Sequence, residues 1–466
     1  MKNLNILIMA AGKGTRMVSN RAKVLHPVCG VPMLRFIYDA AALLQPEEIV
    51  VVIGHDADLV RASLKGREAR FVLQAEQRGT GHAVMVARDL LERMSGDLLV
   101  LYGDTPKINP DTLRKLVESH RGSGAATTLL TTRTEAPHGY GRILRDAGGR
   151  IEAIVEEKDA TPEQRAITEI NPGLYCFRIP PMLAALDRIS DRNAQSEYYL
   201  TDIVAIQREA GGRIEALLHE DFDELQGINT RAELAETSRT LRLRKNRELM
   251  AAGVSLIDPE HTYVDLDVVV EKDVTLHPMV TLQGATRVAE GVTIHSGSRV
   301  LNSSIEAEVT VLDCCLITDS HVGRGATLGP FARLRDGSAV GSHCRLGNFV
   351  ELARSTLGDG SKAAHHAYLG DASIGRDVNI GAGVITCNYD GVRKHATIIE
   401  DGAFVGTDCQ LVAPIRIGRG AYVAAGSCIT QDVPPEALAI ARERQSIKPD
   451  WAKRRRRATS ENDKLP

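Results

Sequence analysis

The sequence predicts two domains of different class, an α/β domain followed by a β-solenoid, joined by a helix. Three observations predict it. Short apolar runs ending in glycine-bearing or acidic loops alternate with a helical pattern up to about residue 230. Arg231 to Gly253 is rich in strong helix formers and contains no proline. From Val264 to Ile429 an aliphatic residue returns at nearly every sixth position, a period that belongs neither to a helix nor to a lone strand. The expected boundaries are residues 1–230, 231–253 and 254–466.

A chain of 466 residues exceeds what one ordinary core supports. Hydrophobic content of 43% and charged content of 25% are values of globular proteins. A net charge of −3 gives no electrostatic argument for nucleic acid or a membrane surface. The first apolar run, Ile6 to Ala11, is too short for a signal peptide and leads into Gly12-Lys13-Gly14, and no stretch has the length of a membrane span. The eight cysteines lack metal-ligand spacing, and Cys314 and Cys315 are neighbours, which suits neither a zinc knuckle nor a disulfide framework. A reduced, soluble, cytoplasmic protein is the expectation.

In chain order, Asn5 to Ala10 reads as a buried parallel strand. It runs into Ala11-Gly12-Lys13-Gly14-Thr15-Arg16-Met17, where glycines let backbone N–H groups turn toward an anion and Lys13 and Arg16 add charge. Lys23 follows. A lone Gly-x-Gly reads equally as a plain strand-to-helix turn, and its spacing matches neither the P-loop nor the dinucleotide fingerprint. Pro32 to Leu44 repeats Leu34, Ile37, Ala41 and Leu44 at helical spacing. Strands follow at Glu48 to Ile53, Arg70 to Leu73 and Asp97 to Tyr102, so a doubly wound parallel sheet is expected. The last of these ends in Gly103-Asp104, at the strand end where open α/β sheets bind ligands. One carboxylate there suits magnesium, which takes one or two protein oxygens plus phosphate oxygens; it equally suits a turn cap before Pro106. In the joining segment, Leu234, Leu241 and Leu249 give an apolar stripe and Gly253 a stop, as in a connector helix.

The six-residue register is cleanest over Val322, Leu328, Leu334, Val340, Leu346 and Leu352, with a small or slim residue two places before each. It begins at Val264 and, after a five-residue step, resumes at Ile305. It turns irregular past Leu352, is interrupted by the polar insertion Thr386 to Thr397, and returns at Ile399. This is the signature of stacked short strands with one aliphatic residue per strand pointing inward. Glycines directly after the aliphatic (Gly323, Gly329, Gly341, Gly347) are expected to serve turns with unusual backbone angles. The irregular coil carries two adjacent imidazoles, His365 and His366, and histidine is the side chain that most readily acts as a base near neutral pH. A lone histidine on a turn is ordinarily solvated, and His366 keeps that reading.

Taken together, AAGKGTRM, LQAEQRGTGHA, LYGDTP, GYGRI, VEEKDA and EINPGLY resemble the sugar-1-phosphate nucleotidyltransferases. With QSEYYLTDI and GINTR added, nearly the whole chain is similar to the bacterial bifunctional family that joins an N-acetylglucosamine-1-phosphate uridylyltransferase to a glucosamine-1-phosphate acetyltransferase. The resemblance implies a Rossmann-like nucleotidyltransferase domain, a left-handed parallel β-helix of hexapeptide repeats and a homotrimer. It also implies synthesis of UDP-N-acetylglucosamine from glucosamine-1-phosphate, acetyl-CoA and UTP with Mg²⁺, for peptidoglycan and lipopolysaccharide precursors.

By the same resemblance, Met9, Ala10, Ala11 and Gly12 line the nucleotide site, with Lys13 nearby, and Arg16 and Lys23 neutralise phosphate charge during attack. Gln74, Gly79 and Thr80 hold the uracil edge, and Tyr102 and Gly103 the nucleotide. Gly141, Glu156 and Asn171 bind the sugar, and Asp104 and Asn229 hold the metal. In the second half His365 is the acetyl-transfer base, with Arg335, Tyr368 and Asn379 on the sugar phosphate. Ala382, Asn388, Tyr389, Thr407, Ala425 and Arg442 line the acetyl-CoA site. The chain departs from the family at Ala353, where a phosphate-directed lysine is usual, and at Ala364 and Ala367 around the histidine. Arg354 follows Ala353, but the next residue along a strand faces the other way. A nucleotidyltransferase whose solenoid is only a trimerising scaffold is the alternative. The basic run Lys453 to Arg457 reads as a solvated, disordered end.

Overall fold

The computed structural model describes residues 1–462. The chain divides into two compact units at Lys245 and Asn246.

In the first unit the strand Leu4–Ala10 is buried along its whole length. Glu48–Ile53 and Asp97–Tyr102 flank it in parallel, and Arg70–Leu73 extends the same edge. The apolar runs of the three central strands are what burial on both faces requires, while Arg70–Leu73 at the edge is partly exposed. The helix Met33–Ala42 covers this half with Leu34, Ile37 and Ala41. Beyond Asp97–Tyr102 the sheet departs from the expected parallel order. Tyr175–Arg178 runs antiparallel to Asp97–Tyr102 and to Thr127–Arg133. Gly141–Arg145 and Ile151–Val155 form a hairpin, with Glu169–Asn171 antiparallel beside it. The connection after Arg145 is a tight turn in which Asp146 accepts from the N–H groups of Gly148 and Arg150. A turn that short joins only antiparallel neighbours, so the sheet is mixed.

The helix Arg231–Ala251 occupies the expected connector. In the first unit, Leu241 packs with Val28, Met33 and Ile228. In the second, Leu249 joins the solenoid core. Gly253, at φ +94, follows the helix end.

The second unit is a stack of short parallel strands. Thr275, Thr293, Thr310 and Thr327 lie in register, so one coil is three hexads, shortened by one residue where the five-residue steps fall. The stacking is that of the left-handed β-helix the resemblance implies. The inward aliphatics from Val264 to Ile429 are all buried, and so are the small residues before those of the clean register. In the irregular coils Ala363 and Thr386 fill the inward place, and the Thr386 hydroxyl is bonded to the Gly370 backbone on both sides.

The glycines after the aliphatics do something other than expected. Of the four, only Gly329 has a left-handed backbone. At Gly347 a Cβ would lie 1.7 Å from the Ala364 carbonyl oxygen, and at Gly323 2.8 Å from the Gly341 carbonyl carbon. Close stacking of successive coils excludes a side chain there. The left-handed corners form three columns, two of them two residues after such a glycine position and the third one residue after it. One of them runs Gly325, His343, Gly360 and Asp377, and another Phe331, Phe349 and His366.

Lys453 to Arg457, expected to be disordered, lie exposed in the helix Trp451–Asn462. Among the described residues no helix is long and apolar enough to cross a membrane.

Candidate functional site

The first group of candidate residues gathers at the C-terminal ends of the parallel strands. A cavity of about 350 Å³ is lined by Met9, Ala11, Gly12, Arg16, Lys23, Gln74, Gly79, Thr80, Tyr102, Asp104 and Asn229, with Val24, Gln77, Ala83 and Glu197. Ala10 ends the strand below it, and the Gly103 N–H donates to the Met9 carbonyl at 3.0 Å, tying the two strand ends together. Gln74 is buried and its amide donates to the Gly79 carbonyl at 3.2 Å. Gly79 has φ +106, and a Cβ there would lie 2.5 Å from the Tyr198 carbonyl oxygen, so only glycine lets the chain pass. Lys13 stands exposed on the loop.

Charge in this cavity is concentrated on one point. Arg16 Nη2 and Lys23 Nζ donate to Asn229 Oδ1 at 2.8 and 2.7 Å, and Lys23 is also ion-paired with Asp104. Asp104 and Asn229 thus already converge on a cation, the lysine ammonium. One carboxylate and one amide oxygen suit a hard divalent ion that takes its other ligands from phosphates and water. Among the described residues no group of three or more His, Cys, Asp or Glu could hold a metal alone.

Gly141, Glu156 and Asn171 form a neighbouring group. Gly141 and Asn171 pair across the hairpin edge, and the position of a Gly141 Cβ lies 3.7 Å from Glu156 Oε1. Burial pushes the Glu156 carboxyl up despite the hydrogen bond it accepts from Thr201 at 3.1 Å. Burial also pushes Asp202 up to about 6, with Asp159 adding to the rise. Tyr102 links the two groups: burial, then Glu156 and Asp104, raise its hydroxyl.

Sequence reasoning missed the supports. Glu233 accepts from the Asn229 and Thr230 N–H groups, the latter at 2.9 Å, and its own N–H donates to Thr230 Oγ1 at 3.2 Å. This capping box at the start of the connector helix holds Asn229 in place, and Thr230-x-x-Glu233 was a readable signal for it. Arg231 donates to the Met17 carbonyl at 3.2 Å, pinning the turn that carries Arg16.

In the solenoid, His365 is exposed at a corner of the strand Lys362–Gly370. Its Nδ1 meets Asn348 Oδ1 at 2.9 Å, one coil earlier in register. With that oxygen as acceptor, Nδ1 carries the proton and the lone pair is on Nε2. Asn348 was also missed, although it lies one coil length before His365. Below the histidine the same corner repeats. The Asp408 N–H donates to the Ala382 carbonyl, the Gly426 N–H to that of Thr407, and Arg442 to that of Ala425. Ala382, Thr407, Ala425 and Arg442 therefore form one column running away from His365. His366 is exposed with φ 41, as a solvated corner histidine.

The remaining residues gather at the next corner. Arg335 Nε donates to Glu351 Oε1 at 2.8 Å, and Glu351 pairs in register with Tyr368. A Cβ on Gly370 would meet the Tyr368 hydroxyl at 2.5 Å and Asn388 Nδ2 at 2.6 Å, so both side chains cover this end of the strand. Asn388 donates to Asp371, and Tyr389 stands exposed on the insertion. Asn379 lies on the preceding face, in register with Lys362. Ala353 shares the outward column of Arg335 and Gly370 and is fully covered.

Residues 6–196 match the model of the MobA-like NTP transferase domain. Among curated proteins, the chain is 48% identical over 474 residues to the bifunctional protein GlmU of Geobacter metallireducens, covering 98% of this chain and 100% of the relative. It is 46% identical over 460 residues to that of Pelobacter propionicus, with the same coverage. It is 45% identical over 448 residues to that of Shouchella clausii, covering 96% of this chain and 98% of the relative. Identity at that level, sustained across both units, shows that the chain belongs to the family of bifunctional GlmU proteins.

Proposed function

We propose that the chain makes UDP-N-acetylglucosamine in two steps, one on each unit. In the solenoid, His365 Nε2 takes a proton from the glucosamine-1-phosphate amine as its nitrogen attacks the thioester carbonyl of acetyl-CoA. The N–C bond forms, the C–S bond breaks, and the CoA thiolate leaves to be protonated. Asn348 holds the imidazole in the required tautomer. Arg335, Tyr368 and Asn379 take the sugar phosphate, and Ala382, Asn388, Tyr389, Thr407, Ala425 and Arg442 the acetyl-CoA.

In the first unit, an oxygen of the N-acetylglucosamine-1-phosphate phosphate attacks the α-phosphorus of UTP and pyrophosphate leaves. The sugar phosphate is already a nucleophile, so the protein positions the reactants and stabilises charge, and no general base is required. Arg16 and Lys23 turn from Asn229 and Asp104 to the phosphates, while Gly141, Glu156 and Asn171 hold the sugar. Mg²⁺, when bound at Asp104 and Asn229, neutralises phosphate charge.

We assign the enzyme to the cytoplasm, where its eight free cysteines stay reduced, and to a homotrimer. The observation that carries the two-step reading is His365, with Nε2 open, at the head of the Ala382–Thr407–Ala425–Arg442 column. The test supplies acetyl-CoA, glucosamine-1-phosphate and UTP. Thiol should be released without added metal, and pyrophosphate only when Mg²⁺ is present. Thiol at background level would remove the acetyl step.

A further inference from the structure

At the corner that closes the face bearing Arg335, the left-handed column runs Asn302, Asp319, Asp336, Arg354 and Asp371. Asparagine and aspartate tolerate this backbone because a short polar side chain bonds locally. An arginine at φ 52 has no such relief. What it has instead is a particular placement of its guanidinium. Nε and Nη2 donate to the two oxygens of Asp371 at 2.7 and 3.1 Å, and Nη1 donates to Asp336 Oδ2 at 2.9 Å. Arg335 Nη1 donates to that same Asp336 oxygen. Two guanidinium groups from successive coils therefore meet on one carboxylate oxygen.

A guanidinium has five N–H donors. Among the described residues Arg354 engages three of them and Arg335 two, through Nε and Nη1. The unused N–H groups include both on Arg335 Nη2. Asp336, Asp371 and Glu351 lock the two planes in place and leave donors over. This is the form of a preorganised oxyanion clamp, since a guanidinium plane matches phosphate geometry. Ala353, beside them, is fully covered and brings no charge.

We propose that Arg354 is a second phosphate-binding residue of the acetyl site, acting with Arg335 to select an acceptor sugar that carries a phosphate monoester. The proposal rests on the assignment of Arg335 to the sugar phosphate made above. The rival role for Arg354 is that of a counter-ion between two aspartates of the column, and the two roles separate kinetically.

In the full-length protein, Arg354→Gln, Arg354→Lys and Arg335→Gln are assayed for thiol release while glucosamine-1-phosphate and acetyl-CoA are varied separately. Arg354→Gln should raise the KM for glucosamine-1-phosphate at least tenfold while the KM for acetyl-CoA stays within twofold. Arg354→Lys should recover part of the loss, because a lysine keeps the charge without the fork. An unchanged sugar-phosphate KM, or a parallel rise in both KM values, overturns the proposal. If Arg335→Gln alone raises the sugar-phosphate KM, only Arg354 is wrongly assigned. If neither glutamine variant does, the assignment of Arg335 fails with it.

Discussion

Asn348 Oδ1 lies 2.9 Å from His365 Nδ1, and the two residues are partners in register on adjacent coils. The stacking of the solenoid thus sets the orientation of the imidazole. Asn348→Ala should lower the rate of acetyl transfer by about tenfold to a hundredfold, part of the roughly 10²–10⁴ a positioned base contributes. The uridylyl rate, measured as pyrophosphate release, should not change.

Asp104 and Asn229 converge on one cation at the strand ends of the first unit. Asp104→Ala should lower pyrophosphate release by at least about a hundredfold, the scale of losing one preorganised charge-stabilising group. Thiol release should stay at the wild-type level. Full pyrophosphate release in this variant would remove Asp104 from the site.

Glycines of opposite consequence lie in the two units. Gly347→Ala drives a Cβ to 1.7 Å from the Ala364 carbonyl oxygen, and the coils must separate. It should cost at least about 1–3 kcal/mol, read as a fall in the melting temperature of the solenoid. Gly122, inside the helix Pro110–Ser123, has nothing within 4 Å of its Cβ position. Gly122→Ala should stabilise by up to about 1 kcal/mol.

Asp202, pushed up to about 6 by burial and Asp159, gives a signed dependence on pH. An acid whose folded pKa lies above its unfolded value takes up a proton on folding. Its contribution to stability is therefore present below about pH 4, is lost as the pH rises toward 6, and is level above. Asp202→Asn removes that loss. The melting temperature of the variant minus that of wild type should be larger at pH 7.5 than at pH 5, and an equal difference at both would contradict the assignment.

Much of this was legible because it is periodic or local. The buried aliphatics from Val264 to Ile429 and the strands Glu48–Ile53, Arg70–Leu73 and Asp97–Tyr102 lie where their spacing put them. The antiparallel half of the first sheet was not legible, because its order depends on which distant strands pair, as Tyr175–Arg178 does with Asp97–Tyr102. Of the four glycines after the aliphatics, Gly329 alone serves a left-handed turn, and the other three answer to coil stacking. Gly347 is demanded by Ala364, a full coil away in sequence, rather than by its own backbone angles. By strand alternation alone, Arg354 does not automatically stand in for the lysine missing at Ala353, because alternate residues of a strand face opposite ways. It lies just past the strand end at Ala353, on a left-handed corner where that rule no longer holds. Asn348 acts through His365 a coil later, so no motif marks it, whereas Glu233 closes a capping box that Thr230-x-x-Glu233 signals.

The central claim is that two separate sites perform two steps. It is tested most directly by His365→Ala, assayed on one preparation for thiol release from acetyl-CoA with glucosamine-1-phosphate and for pyrophosphate release from UTP with N-acetylglucosamine-1-phosphate. Thiol release should fall to background while pyrophosphate release stays at the wild-type rate. Equal loss of both activities, or full retention of thiol release, would contradict it.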